Sequence, residues 1–187
     1  MSILNDSVNH WFAAQVWSGR EQRCAEQLRL RGHEVFLPTY CEHRRWSDRV
    51  KTIERAVFAG YVFCRLGGDA AGKVVTTPGV IRIVGDGRGP LPIPTHEIEA
   101  IQRIVTTGLA ATPWPYMQAG QRVRIDIGPL RDIEGLVLRT TQGHRLLVSI
   151  TMLQRSVAVE IDADWVSIPP EALFGSAAVT PPTLNCR

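Results

Sequence analysis

The spacing of apolar residues changes repeatedly along this chain, and each change predicts an element. Trp11 to Trp17 reads as a first strand, closed by Ser18-Gly19. From Glu21 to Arg31 the period becomes helical: Cys24, Ala25 and Leu28 share a face, Glu21 suits the first turn, and Gly32 supplies the stop. Val35 to Leu37 predicts a short strand ended by Pro38. Ala56 to Arg65 is the strongest strand signal of the first half, with Gly60 marking a bulge or a close backbone approach. Thr76 to Gly79 predicts a turn, Val80 to Val84 a strand, and Gly85-Asp86-Gly87 a bend. Thr95 to Val105 then reads as a helix capped by Thr95, with Ile98, Ile101, Ile104 and Val105 on one face.

The period lapses between Thr106 and Gly120, where two prolines interrupt a mixed stretch, so residues 107–118 are expected to form a linker. Beyond it, Gln121–Ile127, Leu136–Thr140, Arg145–Ile150, Val157–Ile161 and Trp165–Ile168 predict five short strands, with Gln142-Gly143 as a hairpin turn. Gly128-Pro129 breaks the first of these runs, and Gly135 is placed where the next strand would need an unusual backbone angle. Five such strands are expected to close into a small SH3-like barrel over residues 119–169, with a loosely ordered tail at 170–187. The fold class predicted is α+β: an amino-terminal α/β sandwich with an antiparallel sheet and flanking helices over residues 9–106, then the barrel.

Composition narrows the function classes. The chain has 187 residues, 44% hydrophobic and 21% charged, as in ordinary globular proteins, and no apolar run is long enough to span a bilayer. Its start has no basic n-region and no apolar core, so a secretory signal is not expected and the cytoplasm is the expected compartment. Cys24, Cys41, Cys64 and Cys186 are too far apart for a zinc knuckle. The net charge of +3 is unevenly placed: residues 1–105 carry 14 basic and 11 acidic groups, residues 106–187 carry 7 of each. Within the first part, Arg44-Arg45-Trp46-Ser47-Asp48-Arg49-Val50-Lys51 gathers four basic groups around a tryptophan. That suits phosphate contact beside a stacking surface, and it equally suits a solvated hairpin tip.

No catalytic constellation emerges. The five histidines are scattered, no spacing of His with carboxylates makes a metal site, and Glu97 and Glu99 do not share a helix face. Gly85-Asp86-Gly87-Arg88-Gly89 lacks the Lys-Ser/Thr ending of a phosphate loop and runs into Pro90, so it is expected to be a turn. Neither an enzyme activity nor a cofactor nor a metal is expected.

Ordered blocks along nearly the whole chain resemble the NusG family of transcription elongation factors. In the first domain they are Trp11-Phe12-Ala13, the helix closed by Gly32, Glu34-Val35-Phe36-Leu37-Pro38, Phe58-Ala59-Gly60-Tyr61-Val62-Phe63, Thr77-Pro78-Gly79-Val80 and Pro92-Ile93-Pro94. In the second they are Gly120-Gln121-Arg122-Val123-Arg124, Gly128-Pro129-Leu130, Glu134-Gly135 and Val157 to Asp162, the pattern of a KOW domain. The run Leu153 to Glu160 is similar to specialised paralogues such as the RfaH, UpxY and LoaP groups, which are antiterminators of chosen operons.

The resemblance implies a non-enzymatic factor of the bacterial cytoplasm whose first domain grips the clamp helices of the largest RNA polymerase subunit. The matching positions are Gln15, Tyr61 and Phe63, with Val62 and Cys64 expected to fill the core from the other side of the strand; a place in the core stays open for both rings. It implies a basic surface facing upstream or non-template DNA, for which Arg20, Arg23, Arg44, Arg45, Arg49 and Lys51 are the candidates. The segment Asp69-Ala70-Ala71-Gly72, taken as a loop, lacks the polar triplet RfaH uses, so RfaH-like DNA reading does not carry over. In the second domain, Met152, Leu153 and Arg155 match the loop that meets a small-subunit ribosomal protein or Rho; a role capping the barrel core stays open for the two apolar ones. Abundant β-branched residues, Val148 and Val157 among them, predict a stable barrel instead of a helical hairpin. Two rivals remain: the housekeeping elongation factor, and an RNA-binding protein of ribosome assembly.

Overall fold

The computed structural model describes residues 10–45, 50–67, 70–117, 120–140 and 143–166. The chain divides into two compact units, 1–99 and 100–187.

The first unit is built on a four-stranded antiparallel sheet. Its strands are β1 (His10–Val16), β2 (Glu34–Phe36), β5 (Tyr61–Leu66) and β6 (Val80–Ile83), in the order β2-β5-β1-β6. Between β2 and β5 the chain makes a separate hairpin of β3 (Thr39–Arg45) and β4 (Val50–Ala56). Helix α1 (Glu21–Leu30) covers one sheet face, where Cys24, Ala25 and Leu28 meet Ala14, Val16, Val62, Cys64 and Leu66. It ends as its sequence requires: Gly32 takes φ +84°, the Gly32 N–H donates to the Arg29 carbonyl, and the His33 N–H donates to that of Leu28. Helix α2 (Ala70–Val75) occupies ground read as a loop, because Val74 buries against the same core. Helix α3 (Thr95–Thr106) follows a bend in which the Asp86 carboxylate accepts the N–H groups of Arg88 and Gly89, a turn as expected.

Gly60 departs from the bulge expected of it but not from the close backbone approach, which it makes to Val16. The strand expected to run unbroken from Ala56 to Arg65 is interrupted by a turn at Val57–Gly60, and Gly60, at φ +82°, ends that turn instead of forming a bulge. Its N–H donates to the Glu21 carboxylate at 2.7 Å, and its carbonyl accepts the Val16 N–H at 2.8 Å. Glu21 is accordingly buried although charged.

The second unit holds a five-stranded antiparallel sheet in the order β7-β11-β10-β9-β8: β7 (Ala111–Pro115), β8 (Gln121–Arg124), β9 (Glu134–Thr140), β10 (Gly143–Ile150) and β11 (Arg155–Ile161). Four expected strands are present, with shifted ends. The fifth is not Trp165–Ile168: Trp165 sits in a short 3-10 turn, and 167–168 lie outside the described residues. The fifth strand comes instead from the expected linker, whose two prolines sit on a sheet edge where a missing N–H is harmless. After β11 the chain returns to the far side, where the Asp126 N–H donates to the Trp165 carbonyl at 2.9 Å. The predicted turn residue Gln142 and the tail 170–187 also lie outside the described residues.

Gly135 needs its lack of a side chain for a reason other than the one expected. Its backbone is an ordinary strand; a Cβ there would lie 2.4 Å from the Leu147 carbonyl oxygen of β10. Gly128 does need its freedom, at φ +87°, and it lies flat against the Trp165 ring.

Candidate functional site

The sheet face turned away from α1 carries the expected docking residues. Cross-strand partners share a face, so Gln15 lies between Tyr61 of β5 and Arg82 of β6, both of which pair with it in register. These three form a row across β5, β1 and β6. Gln15 and Tyr61 are half-buried, Arg82 is exposed, and the Arg82 Nε donates to the Gln15 amide oxygen at 2.8 Å.

Phe63 departs from the docking assignment. It points to the same face as Tyr61 yet is fully buried, its ring 5.3 Å from that of Phe58 edge-on and 6.2 Å from that of Phe36 in a stacked arrangement. Trp11 adds a further edge contact to Phe36, and Ile93 pairs with Trp11 along the backbone. The sheet therefore has core on both faces: Val62 and Cys64 fill the α1 side as expected, and Phe63 fills the other. A strand with both faces covered near its middle cannot present alternate residues to a partner. On this face the strand is accessible at its two ends, at Tyr61 and at Arg65, whose guanidinium lies over the Trp11 ring and is bound to Glu34.

The basic candidates are distributed over two places. Arg20 precedes α1 and Arg23 lies in its first turn, both exposed. In the β3–β4 hairpin the register sets positions 44 and 51 opposite each other, and Lys51 is exposed. Trp46 and Arg49 lie outside the described residues, and Arg44 and Arg45 are described only as strand positions.

In the second unit, Thr151–Leu153 forms a 3-10 turn between β10 and β11, ended by Gln154 in the left-handed region at φ +51°. Leu153 is buried, so it caps the core and is not the exposed partner contact. Met152 is half-buried and Arg155 exposed, which leaves these two accessible. A shallow cavity of about 290 Å³ opens at the other end of the same strands, lined by His144, Arg145, Glu160, Asp162 and Trp165 among others. Its arginine is already bound to Glu160 at 2.9 Å and stacked over Trp114.

Among the described residues no group of three or more His, Cys, Asp or Glu could hold a metal ion, and no helix is long and apolar enough to cross a membrane. Burial pushes the Cys64 thiol up to about 12 and raises that of Cys24 as well, which keeps both thiols protonated and inert. His33 is shifted below its ordinary value, first by burial and then by the nearby Lys73 and Arg31 cations.

The row through Arg82 was not read from the sequence, and the core place held open for both rings applies to Phe63 but not to the half-buried Tyr61. Alternation alone gives Tyr61 and Phe63 one face; it does not say that Phe58 folds back over only one of them.

Comparison with known proteins gives a consistent picture. The family model described as "Transcription termination factor nusG" matches residues 9–102. The Transcription termination/antitermination protein NusG of Escherichia coli (strain K12) is 32% identical over 171 residues, covering 83% of this chain and 94% of that protein. The Helicobacter pylori (strain J99) protein of the same name is 27% identical over 165 residues, covering 81% and 93%. Among solved structures, Thermotoga maritima NusG, solved for its domain interaction, aligns at 20% identity with a TM-score of 0.52, covering 85% of this chain and 96% of that one.

Proposed function

The chain belongs to the NusG family, and from that premise we propose that it docks on the clamp helices of the largest subunit of bacterial RNA polymerase and works as a processive antiterminator and anti-pausing factor for particular operons. In coarser terms it is a transcription termination/antitermination factor of the NusG type, a class whose members act on RNA polymerase and are not enzymes. The mechanism is binding: a factor with higher affinity for the closed, elongating polymerase than for the paused one raises the population of the former.

The observation that carries the docking reading is the accessible row at Tyr61 and Gln15, set on a sheet face made rigid by Trp11, Phe63 and Phe58 behind it. An aromatic with a polar rim is a suitable contact for an amphipathic helix. Phe63 supports the row from within. The β3–β4 hairpin, with basic positions 44 and 51 opposite each other, and the exposed Arg20 and Arg23 serve upstream or non-template DNA. The second unit closes into a KOW barrel, supported by the bond from Asp126 to Trp165, and its Met152 and Arg155 meet a small-subunit ribosomal protein or Rho.

The test is equilibrium binding of the full chain to bacterial core RNA polymerase, wild type beside Tyr61→Ala, with free RNA as competitor. A loss of about tenfold or more in the variant, with RNA failing to compete, is the expected result. Unchanged polymerase binding by Tyr61→Ala overturns the docking reading, and binding to RNA alone favours a ribosome-assembly role.

A further inference from the structure

Docking through Tyr61 and Gln15 leaves the third member of the row, Arg82, without a role. Resting on that docking reading, we infer that Arg82 reads charge on the partner: it pairs with an aspartate or glutamate carboxylate on the docked polymerase helix, about two helical turns from the apolar residue that meets Tyr61.

The side chain is held ready for such a contact. Its Nε–H is used by the Gln15 amide oxygen at 2.8 Å, which leaves the four N–H groups of the two terminal nitrogens for another partner. Two of those, one from each nitrogen, make an end-on fork that fits a carboxylate with two parallel hydrogen bonds. Because Gln15 already restricts the arginine, less side-chain freedom is lost on binding than for an unrestrained lysine. Gln15 thus positions the guanidinium as well as lining the face.

Charge complementarity selects the occupant. Arg55, Arg65, Arg124 and Arg145 each pair with a carboxylate of this chain, and Arg82 takes part in none of the ion pairs among the described residues. Arg65, at the opposite end of the same face, is neutralised by Glu34, so the uncompensated charge of that face lies at Arg82. A phosphate backbone would call for several cations together, whereas the neighbours of Arg82 in the row are an amide and a phenol. A single carboxylate meets that arrangement.

The spacing follows from strand geometry. Tyr61 and Arg82 lie two strands apart, about 9–10 Å at ordinary strand separation. A helix lying along the row rises about 1.5 Å per residue, so the carboxylate falls about six or seven residues from the residue against Tyr61.

The experiment measures binding of the full chain to core RNA polymerase at low and at moderate salt, for wild type, Tyr61→Ala, Arg82→Gln, Arg82→Lys and Arg82→Glu. Arg82→Gln is expected to bind about tenfold more weakly at low salt and to show a flatter salt dependence, with Arg82→Lys intermediate and Arg82→Glu weaker still. A polymerase whose acidic docking-helix residue is changed to arginine is expected to restore binding of Arg82→Glu. Arg82→Gln and Arg82→Glu binding as tightly as wild type, while Tyr61→Ala loses binding, overturns this inference and leaves the docking reading standing. Tyr61→Ala binding as wild type overturns the docking reading itself. An equal defect of Arg82→Glu toward free duplex DNA without polymerase makes Arg82 a nucleic-acid contact and overturns the carboxylate assignment. Arg82 is exposed, so thermal midpoints close to wild type are expected for every Arg82 variant.

Discussion

Replacing Phe63 by alanine separates a core role from a docking role. The ring is fully buried between Phe58 and Phe36, so its removal forfeits the burial of a large apolar side chain and leaves a cavity lined by two rings. Such truncations cost about 3–5 kcal/mol, and the two lost ring pairs place this one in the upper half of that range, about 4 kcal/mol. For a compact unit of this size that corresponds to a fall in thermal midpoint on the order of 15–30 °C. Most of the stability typical of a small domain would be gone. Thermal and urea unfolding followed by near-ultraviolet circular dichroism measures the loss, and amide exchange along β5 locates it in the first unit. Phe63→Leu refills much of the space and is expected to recover most of the stability together with polymerase binding. Tyr61→Ala is expected to lose binding with its midpoint nearly unchanged. A Phe63→Ala protein within about 1 kcal/mol of wild type that nevertheless failed to bind polymerase would refute the burial argument and return Phe63 to the contact surface.

Other consequences can be checked separately. Gly135→Ala places a methyl group 2.4 Å from the Leu147 carbonyl and is expected to destabilise the second unit by about 2 kcal/mol or more in urea unfolding; a neutral result would mean that β9 and β10 can spread apart. In a Cys186→Ser background, native alkylation near pH 8 read by mass spectrometry is expected to label Cys41, which is exposed, and to spare Cys24 and Cys64; rapid labelling of Cys64 contradicts its burial. The folded protein holds His33 below its ordinary value of 6.5, so the unfolded chain binds the proton more readily. Its contribution to stability is present above pH 6.5 and is lost as pH falls through the lower folded value. His33→Gln should therefore flatten the acid side of the stability profile near pH 6, and an unchanged profile would show that the shift is absent.

The parts of this fold that were legible in sequence are those set by local pattern. The α1 stop at Gly32, the break at Gly128 and the Asp86 turn each follow from the chemistry of two or three neighbouring residues. What was missed depends on residues distant in the chain. The β7 strand sits in a proline-interrupted stretch without period, and only its partner β11 makes it a strand. The turn before Tyr61 is hidden inside an apolar run because its defining bond comes from Glu21, far earlier in the sequence. Leu153 and Met152 are neighbours of similar character, and the handedness of Gln154 and the depth of the turn decide that the first is buried and the second half-open. That Gln15 and Tyr61 share a face was legible, while Arg82 beside them required the β1–β6 register, which a shift between Gln15 and Val16 hides from pattern reading.

The Glu21 carboxylate holds the N–H of Gly60 while Val16 holds its carbonyl, so the peptide groups on both sides of that glycine are fixed immediately before Tyr61. A contact residue anchored in this way does not wait for a loop to order when a partner arrives. On the proposed docking, encounter with polymerase costs little conformational entropy at this end of the strand, and association should be fast. Differences in affinity among variants at the contact would then appear mainly in how long the complex lasts.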